Sequence, residues 1–428
     1  MKIVYLAAGA AGQYCGACAR DAALARSLIA LGHEVTMLPL YTPLRLDGPD
    51  PSDRRVFYGG ISAVLQQKFA LFRHTPKLLD RLFDSRWILR AVSRLAIDTQ
   101  PEDLGAMTVS VLRGSQGRQA KELRALLDYL HGQGSPDVVN LTNSLLAGLA
   151  PAIRERLGCR IVCMVQGEEA FVRDLPPPFR DEAMALVRLA AEDIDLFIAP
   201  AAGYADEVAE FLGVGRDRIR VVHPGVDVGV FRPAVRSEGG PVHVGYLSRI
   251  APAKGLDILC RAAAIVHRER PGQVRLSVAG QLAPADRRWW QSVLDETGLQ
   301  QNRDGFAFRG QVTFGGKLDL FQSLDVFVRP SRQPERRAVA ALEAMACGAV
   351  LVAPRNGILA EIVESTGGGM LVDPCGAESL AAALVSLADD RRRLTDMSVA
   401  AARGVETHFS SRTMAETTLR IYADVLGV

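Results

Sequence analysis

Short apolar runs alternate along the chain with longer stretches whose apolar positions recur at i, i+3 and i+4. The first run, Lys2–Leu6, reads as a buried strand and is followed by a glycine turn from Gly9 to Gly12. A helical pattern with Leu24, Leu28 and Leu31 on one face comes next and stops at Gly32. Glu34–Leu40 is the second expected strand. Others are expected at Asp137–Leu141, Arg160–Val165, Asp195–Ala199 and Arg220–His223, most of them separated by helical patterns. Strand and helix in alternation predict a parallel sheet covered by helices on both faces.

Pro233 to Pro241, with Arg236-Ser-Glu-Gly-Gly inside it, breaks the pattern and reads as a linker. The alternation then restarts. Strands are expected at Val242–Leu247, Val274–Ala279, Ala307–Arg309, Val326–Val328, Val350–Ala353 and Met370–Val372, with helices after Gly255, Leu318, Arg337, Ile358 and Glu378. The predicted fold class is α/β, with two doubly wound Rossmann-like halves, residues 1–235 and 241–412. A closing helix, Thr413 to Leu426 within residues 413–428, is expected to pack back on the first half. Ligands of such sheets bind outside the carboxyl ends of the strands, here in a cleft between facing halves.

Composition narrows the class. A chain of 428 residues supports two or three domains with their own cores. Fifty Lys and Arg against 48 Asp and Glu leave a formal charge of +2, which argues against a dedicated nucleic-acid binder. Seven cysteines are odd in number and sparse, so a reducing compartment is expected. The apolar run after Met1-Lys2 is shorter than the ~7–15 residues of a secretory signal core. The longest apolar stretch, Ala338 to Pro354, carries Glu343 and breaks at Gly348, so it is no simple membrane span. A cytoplasmic location follows as the expectation. A dinucleotide oxidoreductase is disfavoured: the first turn is Gly-x-x-Gly, and the second strand ends Leu38-Pro-Leu-Tyr41 with no acid for a ribose.

The chemistry concentrates in Pro330-Ser-Arg-Gln-Pro-Glu335-Arg-Arg-Ala-Val-Ala-Ala-Leu-Glu343. With a helix beginning near Ala338, Glu335 lies in the preceding loop and Glu343 within the helix. Eight positions correspond to roughly 12 Å along a helix and a turn of about 80°, so the carboxylates share a side and can grip opposite ends of a long polar ligand. The helix N-terminus between them aims N–H groups at an anion such as a diphosphate. Glu343 stands in an apolar context where an unpaired carboxylate would be costly. Upstream, Val244-Gly-Tyr-Leu-Ser-Arg249 leads to Lys254-Gly255, two cations in a loop at a strand's carboxyl end. Such a pair suits charge developing on a leaving diphosphate.

This ordered set resembles the large retaining glycosyltransferase family 4 (glycosyl transferases group 1), of GT-B architecture. The motifs run in order from Gly9–Gly12 with Gly32-His-Glu-Val, through Pro224-Gly-Val-Asp227, Arg249 and Lys254-Gly, Val278-Ala-Gly280, Phe308-Arg-Gly-Gln-Val and Glu335-x7-Glu343, to Glu361 before Gly367-Gly-Gly. The resemblance implies a nucleotide-diphosphate sugar donor and metal-independent transfer with retention. No cofactor is implied. In that reading Arg249 and Lys254 stabilise the donor diphosphate, Glu335 lies beside the donor sugar and Glu343 receives the ribose hydroxyls. Gly12, Gly280, Ala338 and Val339 complete the donor side, and Gln166 and Glu168 lie on the acceptor or sugar side.

Several positions depart from the family pattern. After the first Glu stand Arg336-Arg337-Ala338 in place of an aromatic or Pro and then Gly, and Ala lacks the backbone freedom of Gly. Ser248 precedes the Arg where Gly is usual, Val350 replaces a common Pro, and Gln166 replaces a His and cannot act as acid or base. These changes leave open a degenerate binding protein, or a phosphorylase or epimerase, on the same architecture. Three further features have plainer readings. Cys15-Gly-Ala-Cys18, with Cys159 and Cys163, reads as small buried thiols, and Asp193-Ile-Asp195 as a strand lead-in. The basic stretch 68–94, with Arg86, Arg90 and Arg94 on one helical face, reads as a solvated face, the alternative being contact with anionic lipid.

Overall fold

The structure is a computed structural model and describes residues 1–9, 16–43, 50–53, 55–58, 101–234, 239–303 and 305–428. It divides into two compact units. One comprises Met1–Pro200, Tyr204–Val222 and Ala415–Val428, the other Ala201–Gly203 and His223–Met414.

The first unit is built on a six-stranded parallel sheet of β1 (Lys2–Ala7), β2 (Glu34–Pro39), β3 (Val138–Leu141), β4 (Arg160–Met164), β5 (Leu196–Ala199) and β6 (Ile219–Val221). The spatial order is β2-β1-β3-β4-β5-β6, so it reverses between β1 and β3. Every residue of β3 and β5 is buried, which is why, Asn140 of β3 apart, these strands read as continuous apolar runs with no alternation. The helix Gly16–Ala30 follows β1 and buries Leu24 and Leu28. The C-terminal helix Ser411–Leu426 delivers Tyr422 into this unit. There its hydroxyl donates to Asn140 Oδ1 (2.9 Å) and pairs with the Tyr5 hydroxyl (2.8 Å).

The second unit has its own six-stranded parallel sheet of β7 (Val242–Leu247), β8 (Val274–Ala279), β9 (Phe306–Phe308), β10 (Val326–Val328), β11 (Val350–Pro354) and β12 (Gly369–Val372). Its order is β12-β11-β10-β7-β8-β9, and the reversal falls between β10 and β7. Val326 pairs with both Val244 and Val350, which brings the carboxyl ends of β7, β10 and β11 to one edge. A crevice at such a switch point is where ligands of these sheets bind.

Two regular elements differ from expectation. The helix expected after Leu318 begins at Phe314, because Thr313 Oγ1 accepts from the Gly316 amide and caps it (3.2 Å). Helix Arg391–His408 follows Ala377–Asp389 as a separate element, started by Asp390, whose side chain accepts from the Arg393 amide (2.9 Å). The units divide after Val222, ahead of the linker-like stretch. His223 to Phe231 joins the second unit through Val226, whose amide donates to the Phe409 carbonyl and whose carbonyl accepts from Ser411. Residues 235–238 of that stretch lie outside the described residues.

Candidate functional site

Two loops at the carboxyl edge of the second sheet are locked together by close backbone packing. After β7, Ser248 bonds to Ala279 and Ile250 to Gln281. Gly280 (φ +150°) lies against Ser248, where an added Cβ would come within 1.7 Å of the Ser248 carbonyl oxygen. A 3-10 turn, Pro252–Lys254, then ends at Gly255 in the left-handed region (φ +71°). A Cβ on Gly255 would meet the Pro330 carbonyl oxygen at 1.7 Å, so only glycine lets the β7 and β10 loops touch here.

Arg332 ties the same loops by charge. Its guanidinium donates to both oxygens of Asp257 (2.7 and 2.6 Å) and to the Pro252 carbonyl (2.6 Å). Asp257 lies in the first turn of helix Leu256–Glu269 and also accepts from Arg261. Burial pushes the Asp257 carboxyl up, but Arg332 and Arg261 hold it below its ordinary value. The turn that carries Lys254 and the loop that carries Glu335 therefore form one rigid assembly.

At its centre is Glu335, only 9% exposed. One carboxylate oxygen accepts from Arg329 Nη2 (2.6 Å) and Nε (3.1 Å) and from Lys254 Nζ (3.1 Å). Burial pushes this carboxyl up. Arg329 first, and then Lys254, more than offset that and bring it to about 2. Lys254 is lowered by burial and by Arg329, against the pull of Glu335. The Glu335 backbone is held from β11's side. Its carbonyl accepts from Ile358 (3.0 Å), and Gly357 (φ +51°) packs so closely that a Cβ there would lie 2.2 Å from it. Arg249, in the β7 loop, is exposed and makes no ion pair among the described residues.

Helix Val339–Ala346 starts on Ala338, a non-glycine residue at φ +48°. The family's Gly would take that conformation without strain, and Ala does not. Glu343 lies about one turn into this helix, 6% exposed, and its Oε1 accepts from Lys317 Nζ (2.8 Å), itself 5% exposed. The Lys317 ammonium also faces the rings of Phe231 (5.1 Å) and Phe314 (5.5 Å), so the buried pair is enclosed by aromatic surface. Glu361, in helix Gly357–Thr366, accepts from the Ala202 and Gly203 amides and pairs with His223 Nε2 (2.8 Å).

In the first unit, Gln166 and Glu168 stand just past the carboxyl end of β4. The Gln166 amide donates to Glu168 Oε2 (2.6 Å), and its side-chain nitrogen donates to the Thr142 carbonyl (2.6 Å). Gln166 Oε1 is buried with no hydrogen-bond partner among the described residues. Glu169 accepts from the Tyr204 hydroxyl.

The structure thus brings Lys254 and Glu335 into contact, puts Gly280 under the same loop, and sets Ala338, Val339 and Glu343 on the helix that follows. Gly12, Cys15 and the basic stretch 68–94 lie outside the described residues. Asp195 bonds Arg154, Arg160 and the Ile161 amide, a structural role. Cys163 is fully buried and its thiol is pushed well up by burial. Sequence reasoning missed Arg329, Arg332, Asp257 and Lys317. The available signal was the apolar setting of Glu343, which demands a buried cation without saying which.

Comparison with known proteins fits this geometry. Residues 241–390 match the family described as Glycosyl transferases group 1, and residues 106–230 match Glycosyltransferase Family 4. The chain belongs to these glycosyltransferase families. Among its relatives is a D-inositol 3-phosphate glycosyltransferase of Paenarthrobacter aurescens, 32% identical over 239 residues, or 54% of this chain and 57% of that protein. The Segniliparus rotundus protein of the same name is 31% identical over 317 residues, covering 69% of this chain and 65% of its own. The chain therefore matches well under two thirds of the first relative's length. The crystal structure of Anabaena HepE in complex with UDP and glucose aligns over 99% of both chains with a TM-score of 0.65 at 18% identity. That likeness gives this family member its fold, two Rossmann-like units of GT-B type.

Proposed function

We propose that this chain is a retaining, metal-independent glycosyltransferase that takes its donor sugar from a nucleoside diphosphate bound at the switch point of the second sheet. The carrying observation is the convergence of Lys254 and Arg329 on one oxygen of Glu335, at the sheet edge that also carries Arg249. A leaving diphosphate gathers negative charge, and preorganised cations in a partly dry site stabilise it without a metal ion. Arg249 and Lys254 are assigned to that charge, Glu335 to the sugar side, and Glu343, braced by Lys317, to the ribose hydroxyls. Gly280, Ala338 and Val339 supply the close backbone. The acceptor attacks on the face the nucleotide leaves, so the anomeric configuration is kept.

The first unit is assigned to the acceptor. Its support is Gln166 Oε1, a buried acceptor without a partner among the described residues, which costs about 1–3 kcal/mol unless a donor such as a sugar hydroxyl fills it. Among the described residues no helix is long and apolar enough to cross a membrane.

A thermal-shift panel of UDP, GDP, ADP, dTDP and CDP tests the donor site, with Lys254→Ala as the control. A nucleotide at 100 times its Kd adds about 2.7 kcal/mol to stability. One nucleotide is expected to stabilise the wild type and lose its effect in Lys254→Ala. Stabilisation by none would reject the donor site and favour a protein that has lost it.

A further inference from the structure

Two cations share one oxygen of Glu335, and they are held very differently. Arg329 follows β10 directly, is 8% exposed, and reaches Glu335 through both Nε and Nη2. Its remaining nitrogen, Nη1, leans on the Leu247 carbonyl at the end of β7 (3.4 Å), and its amide donates to Val352 of β11 (2.9 Å). Three neighbouring strands therefore fix it. Lys254 stands on a short 3-10 turn, its side chain is about a quarter exposed, and it makes a single bond to Glu335. An ammonium on a four-carbon stem can exchange partners, whereas a planar fork packed on two strand ends cannot.

We propose that Arg329 is a positioning residue of the donor site: it stays on Glu335 as resident countercharge when Lys254 leaves that carboxylate for the donor diphosphate. This rests on the donor reading above. Without Arg329, the departure of Lys254 would leave a nine-tenths buried carboxylate with no cation, and it would take up a proton. The charged and titratable groups that act on Glu335 are Arg329 after β10, Lys254 after β7 and the Tyr246 phenol on β7; Arg249 acts on Lys254, and Arg336 and Arg337 come next in the chain. The helix start at Gly357-Ile358 offers Glu335 only a backbone amide. With Arg329 in place Glu335 stays ionised through the exchange, and it can keep accepting hydrogen bonds from a sugar's hydroxyls.

The test is calorimetric titration of the whole chain with the nucleoside diphosphates named above, at pH 6 in buffers of different ionisation enthalpy, which counts protons taken up on binding. The wild type's count, which holds only the protons that the nucleotide's own terminal phosphate exchanges, is the zero from which uptake is measured. Arg329→Met is expected to bind about tenfold more weakly, from loss of the countercharge, with uptake approaching one proton per nucleotide. Arg329→Lys should return uptake to zero, and Arg329→Met with Glu335→Gln should abolish it, because no carboxylate remains to titrate. If Arg329→Met does not fold, Arg329→Gln keeps hydrogen-bond donors in the buried site without the charge and should show the same uptake. Weakened binding with no proton uptake would reduce Arg329 to a packing role and overturn the proposal, as would unchanged binding. Failure of every nucleotide to bind the wild type would instead overturn the donor reading, and the proposal with it.

Discussion

Glu335 and Glu343 are eight residues apart, similarly buried and each paired with cations, yet they are built for different tasks. Glu343 is bonded by the ammonium of Lys317, buried as deeply as itself and walled by Phe231 and Phe314. Glu335 meets a fixed guanidinium and a partly exposed ammonium that can leave. The first arrangement fixes a carboxylate; the second keeps one charged while a cation is lent to another anion. Burial alone does not separate the two. What separates them is whether a partner can reach water.

The strongest way to break this comparison is to remove each acid in turn. Glu343→Ala takes the carboxylate from a buried ammonium and is expected to cost about 3–5 kcal/mol in urea unfolding, while Lys317→Met with Glu343→Leu should recover most of that loss. Glu335→Ala leaves the strand-held Arg329 buried without its carboxylate and is expected to cost a similar amount, about 3–5 kcal/mol, whereas Lys254→Ala should cost only about 1–2 kcal/mol because Arg329 stays on Glu335. A loss for Lys254→Ala as large as that for Glu335→Ala would show that the Lys254 contact is simply structural.

Acid titration sharpens the contrast once His243 is accounted for. His243 is 3% exposed in the same unit. Its Nδ1 donates to the Ser323 carbonyl, Nε2 accepts from Ser277 Oγ, and burial lowers its pKa to about 4. A folded pKa below the ordinary 6.5 means that the unfolded chain binds the proton first. Stability is therefore full above pH 6.5 and falls by about 3 kcal/mol as the pH drops to 4. His243→Gln should flatten that limb in denaturant melts. Glu335, held at about 2, contributes fully above pH 4.5 and loses its contribution only as the pH falls towards 2. In Arg329→Met that lower window should shift upward.

The smallest expected effect comes from Ala338, at φ +48° between the two acids. Ala338→Gly should raise stability by about 1 kcal/mol by removing left-handed strain. A loss of stability on that change would mean that the Ala338 methyl packs to more effect than its backbone strains.

The sequence made the sheets legible because their strands are buried on both faces. Val242–Leu247, Val274–Ala279 and Val326–Val328 are recognisable as apolar runs, with the bounds the structure gives them. The motif residues Lys254, Glu335 and Glu343 were legible by spacing and resemblance. Their partners were not. Arg329 and Arg332 sit in a loop of mixed polarity, where an arginine looks solvated until β10 is set between β7 and β11. Lys317 was hidden for a local reason. Gly315 and Gly316 disguise the first turn of its helix, and only the Thr313 cap starts that helix early enough to carry Lys317 to Glu343.

The most direct test of the central claim is a crystal structure of the chain with the nucleoside diphosphate that stabilises it. Phosphate oxygens are expected within hydrogen-bond reach of Lys254 Nζ and Arg249, with Glu335 still bonded to Arg329 and Glu343 facing the ribose. A nucleotide bound elsewhere, with Lys254 still on Glu335, would contradict it.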